Sequence, residues 1–338
     1  MTGSAPVGLD LAALRRFFDR VVPGAGDVSA ELLHGGRSNL TYRITDGVSS
    51  WVLRRPPLGE LTPSAHDMTR EFRVVKALQG SGVPVAPAVA LEEGTSVLGV
   101  PFAVVGYVDG VVLRTQEELA GFSDFDVTRC AYSLIEILAR LHSVDVEEAG
   151  LSGFGRPQGY LARQLRRWQD QWGRVSTRPL PSLDRLHARL VETCPQESGE
   201  SIVHGDYRID NAILDPHDPA VVRALVDWEM ATLGDPLADL GLHLAYSDPA
   251  FDPVLGGSAA STSARLPSAA DLVEKYAELS GRPVENLPFY RGFGYFKAAV
   301  IAEGIHARYR QGLTVGDGFE TVGAAVEQLV EAGTTVVR

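Results

Sequence analysis

The sequence predicts an α+β fold in which a small antiparallel β-sheet with one main helix precedes a larger, mainly helical part. Three short β-like runs lie near the N-terminus, and Asp46-Gly47, between the second and third of them, favours a tight hairpin. After Gly110, apolar residues recur at helical spacing along most of the chain. We therefore predict an N-terminal lobe of residues 1–108 and a C-terminal lobe of residues 109–338.

Local patterns define the elements of the N-terminal lobe. Apolar residues at helical spacing after Asp10, a residue type favoured as an N-cap, predict an opening amphipathic helix. A second helical pattern predicts the main helix of this lobe over residues 70–78. Apolar and β-branched runs bounded by turn residues predict strands at residues 30–33, 40–45, 51–54 and 100–108.

The C-terminal lobe is predicted to be mainly α-helical. Helical spacing is found at residues 126–142, 160–172, 183–193, 237–246 and 269–279, with two more helices before the C-terminus. Two short strands are expected at residues 213–214 and 222–226. Residues 247–268 are rich in Ser, Ala, Gly and Pro, which predicts a long irregular loop of functional or mobile character.

Composition and charge exclude several classes of protein. With 45% hydrophobic and 22% charged residues, the chain is an ordinary globular protein. The formal charge of -12 would repel a phosphate backbone and disfavours nucleic acid as a partner. Cys130 and Cys194, the two cysteines, have neither a disulfide framework nor zinc-site spacing. Because no signal peptide and no membrane-spanning run is recognised, we expect a cytoplasmic protein with no membrane partner.

Polar residues with the chemistry of phosphoryl transfer follow two apolar strands. His204-Gly205-Asp206 comes after the first, Asn211 lies five residues beyond Asp206, and Asp227 follows the second strand. Phosphoryl transfer needs a carboxylate that orients the attacking hydroxyl, and an amide and a second carboxylate that hold Mg²⁺ on the nucleotide phosphates. Asp206, Asn211 and Asp227 supply that set.

The order His-x-Asp-x-x-x-x-Asn, followed by Asp at the head of a hairpin, is the catalytic-loop and metal-loop arrangement of protein kinases. On these residues the chain resembles the aminoglycoside phosphotransferase and choline-kinase-like family of small-molecule kinases, over about residues 30–245. The resemblance implies a two-lobed protein-kinase-like fold with MgATP in its cleft. It also implies ATP and Mg²⁺ as cofactors, and transfer of the γ-phosphoryl group to a hydroxyl.

The same resemblance implies roles for single residues. Asp206 would be the catalytic base, and Asn211 and Asp227 would be the metal ligands. Arg208 lies where many kinases have a Lys that neutralises the transferring phosphoryl group, and a guanidinium can do so bidentately. Glu229 is open to two interpretations, a contact to a second metal through water or an ordinary polar loop residue.

Two residues, His204 and Asp239, are interpreted as structural on the basis of the resemblance, and a third, Asp210, is given no role. His204 would support the backbone of the catalytic loop, and Asp239, in the helix predicted at residues 237–246, would brace that loop from beneath. Asp210 is expected to be exposed.

A kinase also needs a cation on the α- and β-phosphates, usually a Lys on the third strand paired with a helix Glu. None of the three lysines of this chain lies in the N-terminal strands. The strand of residues 51–54 ends in Arg54 and continues into Arg55, and alternation places these two side chains on opposite faces. The hydrophobic-hydrophobic-basic order matches the family pattern at Arg54. The resemblance therefore implies Arg54 as the phosphate-binding cation, with Arg55 as the alternative, and Glu71 as its partner.

Two further nucleotide contacts are predicted by the resemblance. Residues 35–39 would form the phosphate flap, in which glycines permit close backbone approach and Ser38 contacts a phosphate oxygen. Gly106 and Val108, at the end of the last N-terminal strand, resemble the hinge whose backbone binds the adenine edge. The choice between ATP and GTP stays open.

The acceptor is expected to be a small molecule. Only nine residues separate Asp227 from the helix at Leu237, so no activation segment for a peptide substrate fits. An aminoglycoside-like acceptor is the first interpretation. Residues 52–57 and Arg70-Glu71 also look similar to the kinase-like domain fused to some acyl-CoA dehydrogenases, which makes a hydroxyacyl-CoA kinase one alternative and a catalytically silent nucleotide-binding protein another. The oligomeric state stays open.

Overall fold

The structure is a computed structural model that describes residues 6–33, 39–58, 67–314 and 318–338. The strands within these ranges are β1 (Ser29–Leu32), β2 (Leu40–Thr45), β3 (Ser50–Arg55), β4 (Ala88–Glu92), β5 (Phe102–Gly106), β6 (Ser201–Val203), β7 (Ala212–Leu214), β8 (Val222–Leu225) and β9 (Thr232–Gly234). The α-helices there are α1 (Leu11–Val21), α2 (Met68–Ala77), α3 (Gln116–Leu119), α4 (Asp124–Ser143), α5 (Tyr160–Val175), α6 (Pro181–Glu192), α7 (Pro236–Ala245), α8 (Asp252–Leu255), α9 (Ala269–Ser280), α10 (Leu287–Arg310) and α11 (Val322–Val336).

The chain divides into two compact units. The first comprises Met1–Asp109 together with Arg223–Glu229, and the second comprises Gly110–Val222 together with Met230–Arg338. Leu225 carries the later segment into the first unit, since its N–H donates to the carbonyl of Pro84 at 2.8 Å. The roles predicted for residues 1–108 and 109–338, nucleotide binding and acceptor binding, stay predictions.

The sheet of the first unit has five strands in the order β1-β2-β3-β5-β4, each pair antiparallel. The predicted hairpin between β2 and β3 is present, and the carboxylate of Asp46 accepts from the N–H groups of Val48 and Ser49 at 2.9 and 2.7 Å. One face of the sheet carries the core. Phe17 and Phe18 of α1 pack edge-on against Phe102 and Trp51.

Helix α2 begins behind Asp67, whose side chain accepts from the N–H of Arg70. Its buried face carries Phe72 and Val75, and also Glu71, which is thereby held on the sheet side of the helix. Strand β4 was not predicted, because its sequence lacks alternation and follows two prolines; its hydrogen bonds come from β5. The strand predicted at residues 100–108 is shorter in the structure, where it spans Phe102–Gly106.

Helix α10 forms the centre of the second unit. It is buried along most of its length and packs against α5, α7 and α11. Helix α7 begins behind Asp235, whose carboxylate accepts from the N–H of Leu237 at 3.0 Å. In the described ranges, no helix combines the length and the apolar character that a membrane crossing requires.

The prediction of a long irregular loop at residues 247–268 is wrong. The segment contains α8 and two 3₁₀ turns, and Ser261, Thr262 and Ser263 are buried within it. The carboxylate of Asp252 organises the segment by accepting from the N–H of Ala259 at 2.9 Å and from the hydroxyl of Thr262 at 2.7 Å. Short polar side chains can thus supply hydrogen-bond partners to backbone N–H groups and order a segment whose composition is typical of an irregular loop.

Candidate active site

The loop of residues 204–211, called the catalytic loop after its predicted role, leaves β6 through a turn that only glycine fits. Gly205 has a φ of +83°, and a Cβ there would lie 2.8 Å from the carbonyl oxygen of Met230. An L side chain would meet both the conformational cost and the steric clash. The turn sets the direction in which the next residue, Asp206, leaves the strand.

Asp239 of α7 braces this turn, as predicted. The residue is 1% exposed, and its two carboxylate oxygens accept from the N–H groups of His204 at 2.6 Å and Gly205 at 2.8 Å. Burial works to raise the pKa of the Asp239 carboxyl, but His142, 3.4 Å away, and the N–H of Gly205 lower it below its usual value. The carboxylate is therefore a fixed anion beneath the loop.

Replacing Asp239 with Ala should lower the free energy of unfolding by about 1–3 kcal/mol, because two buried N–H groups lose their acceptor. The measurement is thermal or urea unfolding, and the melting temperature should fall. Asp10→Ala is the control, since Asp10 caps α1 at an exposed end and should cost only about 1 kcal/mol. An Asp239→Ala protein as stable as the unmodified one would contradict the bracing role.

Asp206 is held by three side-chain donors. Its Oδ1 accepts from the hydroxyl of Tyr246, and its Oδ2 accepts from Nδ2 of Asn211 at 3.1 Å and Nε of Arg208 at 3.3 Å. Burial works to raise the pKa of Asp206, but Arg208, the Tyr246 hydroxyl and Lys297 together lower it to about 2. The carboxylate is therefore ionised at any ordinary assay pH.

Asn211 ends the catalytic loop with its amide already oriented. Its Nδ2 donates to both the carbonyl oxygen of Asp206 at 2.8 Å and the Asp206 carboxylate, and the residue is 7% exposed. Because the amide nitrogen makes these bonds, the amide oxygen is directed elsewhere. It is an oxygen ligand of the kind that Mg²⁺ prefers.

The guanidinium of Arg208 contacts two carboxylates in the structure. It pairs with Asp206 and, through Nη1, with Asp210, and it lies 5.5 Å from the centre of the Tyr246 ring. Burial works to lower the pKa of Arg208, but the two carboxylates raise it. The expectation that Asp210 is exposed is wrong, because pairing with Arg208 leaves its side chain only 17% exposed.

Two residues at this loop were missed in the sequence. Tyr246, which contacts Asp206, comes from the end of α7 and carries no local signal. Lys297 lies on α10, 7% exposed, and its Nζ donates to the carbonyl oxygen of Gly205 and lies 5.5 Å from the Trp168 ring. A single lysine inside the apolar run of residues 293–300 is a signal that could have identified it as a buried, partnered charge.

In the first unit, the structure brings together Arg54 of β3, Glu71 of α2 and Asp227. Arg54 forms an ion pair with Glu71 through Nη1, and its Nη2 lies 3.4 Å from Oδ1 of Asp227. Burial works to lower the pKa of Arg54, but the carboxylates of Glu71, Asp227 and Glu229 raise it. Burial raises the pKa of Glu71. One cation therefore faces three carboxylates, with an excess of negative charge.

Arg55 points away from this group. It is 5% exposed and donates to the backbone carbonyls of Gly8 and, at 3.3 Å, Pro56. The alternation of β3 therefore separates the two arginines, one toward the carboxylates and one toward the N-terminal segment. Of the two candidates, Arg54 is the one beside Glu71.

Asp227 has a φ of +65°, a left-handed conformation that non-glycine residues seldom adopt. Such a conformation costs on the order of 1 kcal/mol and is found mainly at functional sites. The side chain is 36% exposed, so its carboxylate is accessible to a ligand. Glu229 nearby accepts from Nδ2 of Asn39 at 3.3 Å, which ties this segment to the start of β2.

Of the predicted nucleotide contacts of the flap and the hinge, the structure describes the two in the hinge, Gly106 and Val108. Ser38 lies outside the described residues. Gly106 ends β5, and its N–H donates to the carbonyl of Pro87 at 2.7 Å, while Tyr107 N–H donates to Ser50 at 3.1 Å. Within the described ranges, Val108 N–H makes no backbone hydrogen bond.

Two buried polar atoms at the Arg54 group lack partners. Within the part of the chain that the structure describes, neither Nε of Arg54 nor Oε2 of Glu71 has a hydrogen-bond partner. Unpaired buried polar groups are costly in free energy. The N–H of Arg54 Nε is a charged donor of the kind that binds a phosphate oxygen. Taken separately, the carboxylate of Asp227 and the amide oxygen of Asn211 are each an oxygen ligand of the type that Mg²⁺ prefers. Across the same ranges, no group of three or more His, Cys, Asp or Glu side chains is arranged to hold a metal ion.

Comparisons with known proteins give a consistent family. The chain is 35% identical to acyl-CoA dehydrogenase family member 11 of Gallus gallus over 336 residues, which is 96% of this chain and 43% of that protein. The chain spans less than half the length of the curated relatives that it matches: 43% of this one and 28% of acyl-CoA dehydrogenase family member 10 of Mus musculus.

Solved structures share the fold. A chain from Ralstonia eutropha, proposed to be an aminoglycoside phosphotransferase, is 33% identical, with a TM-score of 0.83 over 97% of this chain and 98% of that one. A thermostable mutant of aminoglycoside phosphotransferase APH(4)-Ia, crystallised with AMP-PNP and hygromycin B, is 16% identical, with a TM-score of 0.60 over 95% of this chain and 98% of that one. The α+β, protein-kinase-like fold predicted from the sequence is confirmed.

A family profile covers most of the chain. Residues 29–273 match the profile of the phosphotransferase enzyme family, and this range contains the catalytic loop and the Arg54 group. The resemblance predicted from the sequence is thereby confirmed, and the chain belongs to the phosphotransferase enzyme family.

Proposed function

We propose that this phosphotransferase moves the γ-phosphoryl group of ATP to a hydroxyl of a small molecule, with Mg²⁺ as cofactor. The observation that carries the proposal is the catalytic loop, in which an ionised Asp206 is fixed by Asn211 and Arg208. A carboxylate held in one orientation by donors can align a hydroxyl for attack. The complex of APH(4)-Ia with AMP-PNP supports a nucleotide as phosphoryl donor.

Each group then has a proposed part in the reaction. Asp206 accepts a hydrogen bond from the acceptor hydroxyl and takes up its proton. Arg54, aligned by Glu71, binds α- and β-phosphate oxygens. Arg208 neutralises the negative charge of the transferring phosphoryl group, for which its guanidinium must leave one of its carboxylate partners. Asn211 and Asp227 would hold Mg²⁺, which supplies charge neutralisation on the phosphates.

Further nucleotide contacts stay proposals on the same basis. Ser38 would contact a phosphate oxygen. Backbone groups of Gly106 and Val108 would bind the adenine edge, and the Val108 N–H is the donor that the hinge makes available within the described ranges.

Two classes of acceptor are proposed. An aminoglycoside-like acceptor is supported by solved relatives such as the complex with hygromycin B, at 16% identity. A hydroxyacyl-CoA is the second class, and the specific observation that favours it is the 35% identity to acyl-CoA dehydrogenase family member 11 over nearly the whole of this chain.

The test is an acceptor panel of aminoglycosides, macrolides, amino alcohols and hydroxyacyl-CoAs, with ADP release coupled to an optical signal. We expect at least one class to raise ADP release above the acceptor-free rate, with a phosphorylated product found by mass spectrometry. Free hydroxy acids are the matched control for the hydroxyacyl-CoAs. Nucleotide binding without turnover on any acceptor would favour the catalytically silent alternative.

Magnesium should tighten nucleotide binding through Asp227. Replacing Asp227 with Asn removes the charge but keeps a residue that tolerates the left-handed backbone, so we expect the Mg²⁺-dependent gain in ATP affinity to fall by roughly tenfold. Calorimetry with Mg²⁺ and with EDTA gives this gain directly. Asp210→Asn is the control, and this variant should keep the full Mg²⁺-dependent gain in ATP affinity. Equal ATP affinity of the unmodified protein in Mg²⁺ and in EDTA would refute the role.

A further inference from the structure

Tyr246 contacts the catalytic carboxylate from outside the catalytic loop. Residues of the loop itself, Asn211 and Arg208, donate to Oδ2 of Asp206. The other oxygen, Oδ1, accepts from the hydroxyl of Tyr246, which lies 40 residues further along the chain. The two oxygens therefore have different tasks: one fixes the carboxylate within the loop, and the other receives a hydroxyl.

The bond to Oδ1 is the bond that an acceptor would make. Under the proposed function, the acceptor hydroxyl donates to Asp206 before transfer, and the phenol of Tyr246 already does so in the structure. Burial raises the pKa of Tyr246 well above its ordinary value, so the phenol keeps its proton. It can donate to the carboxylate but is a poor nucleophile.

The ring of Tyr246 is held in place on more than one side. The guanidinium of Arg208 lies 5.5 Å from the ring centre, and Phe251 packs edge-on at 4.8 Å. Phe251 is fully buried and also packs on Tyr295 of α10. The hydroxyl is thus aimed at Oδ1 by packing, and the residue as a whole is 8% exposed.

We propose that Tyr246 shields Asp206 from water, so that its hydroxyl occupies Oδ1 until an acceptor hydroxyl replaces it. This rests on the proposed function. The reaction that the shield limits is hydrolysis: the water oxygen forms a bond to the γ-phosphorus, the bond from that phosphorus to the oxygen of ADP breaks, and the water proton passes to Asp206. The products are ADP and inorganic phosphate. Tyr246 is a positioning residue that sets the preference for acceptor over water.

The test is hydrolysis of ATP without any acceptor, which needs no knowledge of the natural one. Tyr246→Phe keeps the ring and removes the hydroxyl, so acceptor-free ADP release should rise on the order of tenfold, the effect of one hydrogen bond to a charged group. Tyr290→Phe is the matched control. Its hydroxyl, also buried, donates to Asp235 at 2.8 Å, away from the catalytic loop, and ADP release should not change.

Two further variants separate shielding from a general effect on the fold. Phe251→Leu keeps the hydroxyl but loosens the ring, and it should also raise acceptor-free hydrolysis, by less. The double variant Asp206→Asn with Tyr246→Phe should lose the extra hydrolysis, because the exposed carboxylate is its cause. Melting temperatures of all variants identify any that fail to fold.

Unchanged or slower acceptor-free hydrolysis in both Tyr246→Phe and Phe251→Leu would overturn the shield. If these proteins bind ATP with Mg²⁺ as tightly as the unmodified protein does, the nucleotide part of the proposed function survives that result. Absence of ATP binding in the unmodified protein would instead overturn the proposed function, and the shield with it.

Discussion

Replacing Asp206 with Asn should lower turnover by roughly 10²- to 10⁴-fold and leave ATP affinity within about threefold. The carboxylate accepts from three donors, and an amide has one acceptor oxygen for them. If the NH₂ group of the new Asn faced Tyr246, the Tyr246 hydroxyl could rotate and accept a hydrogen bond from it. If the NH₂ group instead faced Asn211 and Arg208, two sets of donors would meet, because neither of those N–H groups can accept. The variant therefore loses both the proton acceptor and the charge that holds Arg208.

Turnover is measured as ADP release with the acceptor found in the panel, and ATP affinity by calorimetry. Asp210→Asn is the matched control, because Asp210 also pairs with Arg208, whereas the hydroxyl of Tyr246 donates to Asp206. Its turnover should fall by less than about tenfold, the effect of a freer guanidinium. Near-full turnover of Asp206→Asn with a genuine acceptor would show that Asp206 is not the base.

The catalytic loop could be predicted because its information is local. The spacing of His204, Asp206 and Asn211 fixes which side chains share one turn, and Asp239 as its brace followed from the same family pattern. Pairing of Arg54 with Glu71 could likewise be anticipated, since strand alternation separates Arg54 from Arg55, the family pattern selects Arg54, and the first turn of α2 supplies the acid. The structure brings each of these sets together, and their roles in catalysis stay predictions.

Other features depend on contacts between distant segments. Tyr246 reaches Asp206 only because α7 ends beside the catalytic loop, which no spacing in the sequence encodes. Asp210 is predicted to be exposed from the sequence, yet Arg208, two residues before it, forms an ion pair with it. Residues 247–268 have the composition of an irregular loop, and Asp252 nevertheless orders them.

Arg54 and Arg55 should give opposite results when each is replaced with Ala. Arg54→Ala should weaken ATP binding by roughly 30- to 100-fold, since a charge-assisted, bidentate contact to phosphate is worth about twice a neutral hydrogen bond. Its effect on stability should be small, because Glu71, whose pKa burial already raises, can take up a proton when its partner is lost. Arg55→Ala should leave ATP affinity unchanged and lower the melting temperature.

The expected loss of stability in Arg55→Ala comes from its buried contacts. Its guanidinium donates to the carbonyls of Gly8 and Pro56, and removal leaves the Gly8 carbonyl without that donor. The free energy of unfolding should fall by about 1–3 kcal/mol. Calorimetry with MgATP and thermal unfolding, run on the same two proteins, separate a loss of affinity from a loss of stability.

Arg54→Lys distinguishes a charge from a guanidinium at this position. Related kinases usually have Lys here, and an ammonium can pair with Glu71 and with one phosphate oxygen, so most of the ATP affinity should return, within about fivefold of the unmodified protein. Glu71→Gln should cost less affinity than Arg54→Ala, because it removes the alignment of the cation and not the cation. If Arg55→Ala weakened ATP binding and Arg54→Ala did not, the phosphate contact would belong to Arg55, and if neither did, the silent nucleotide-binding alternative would gain support.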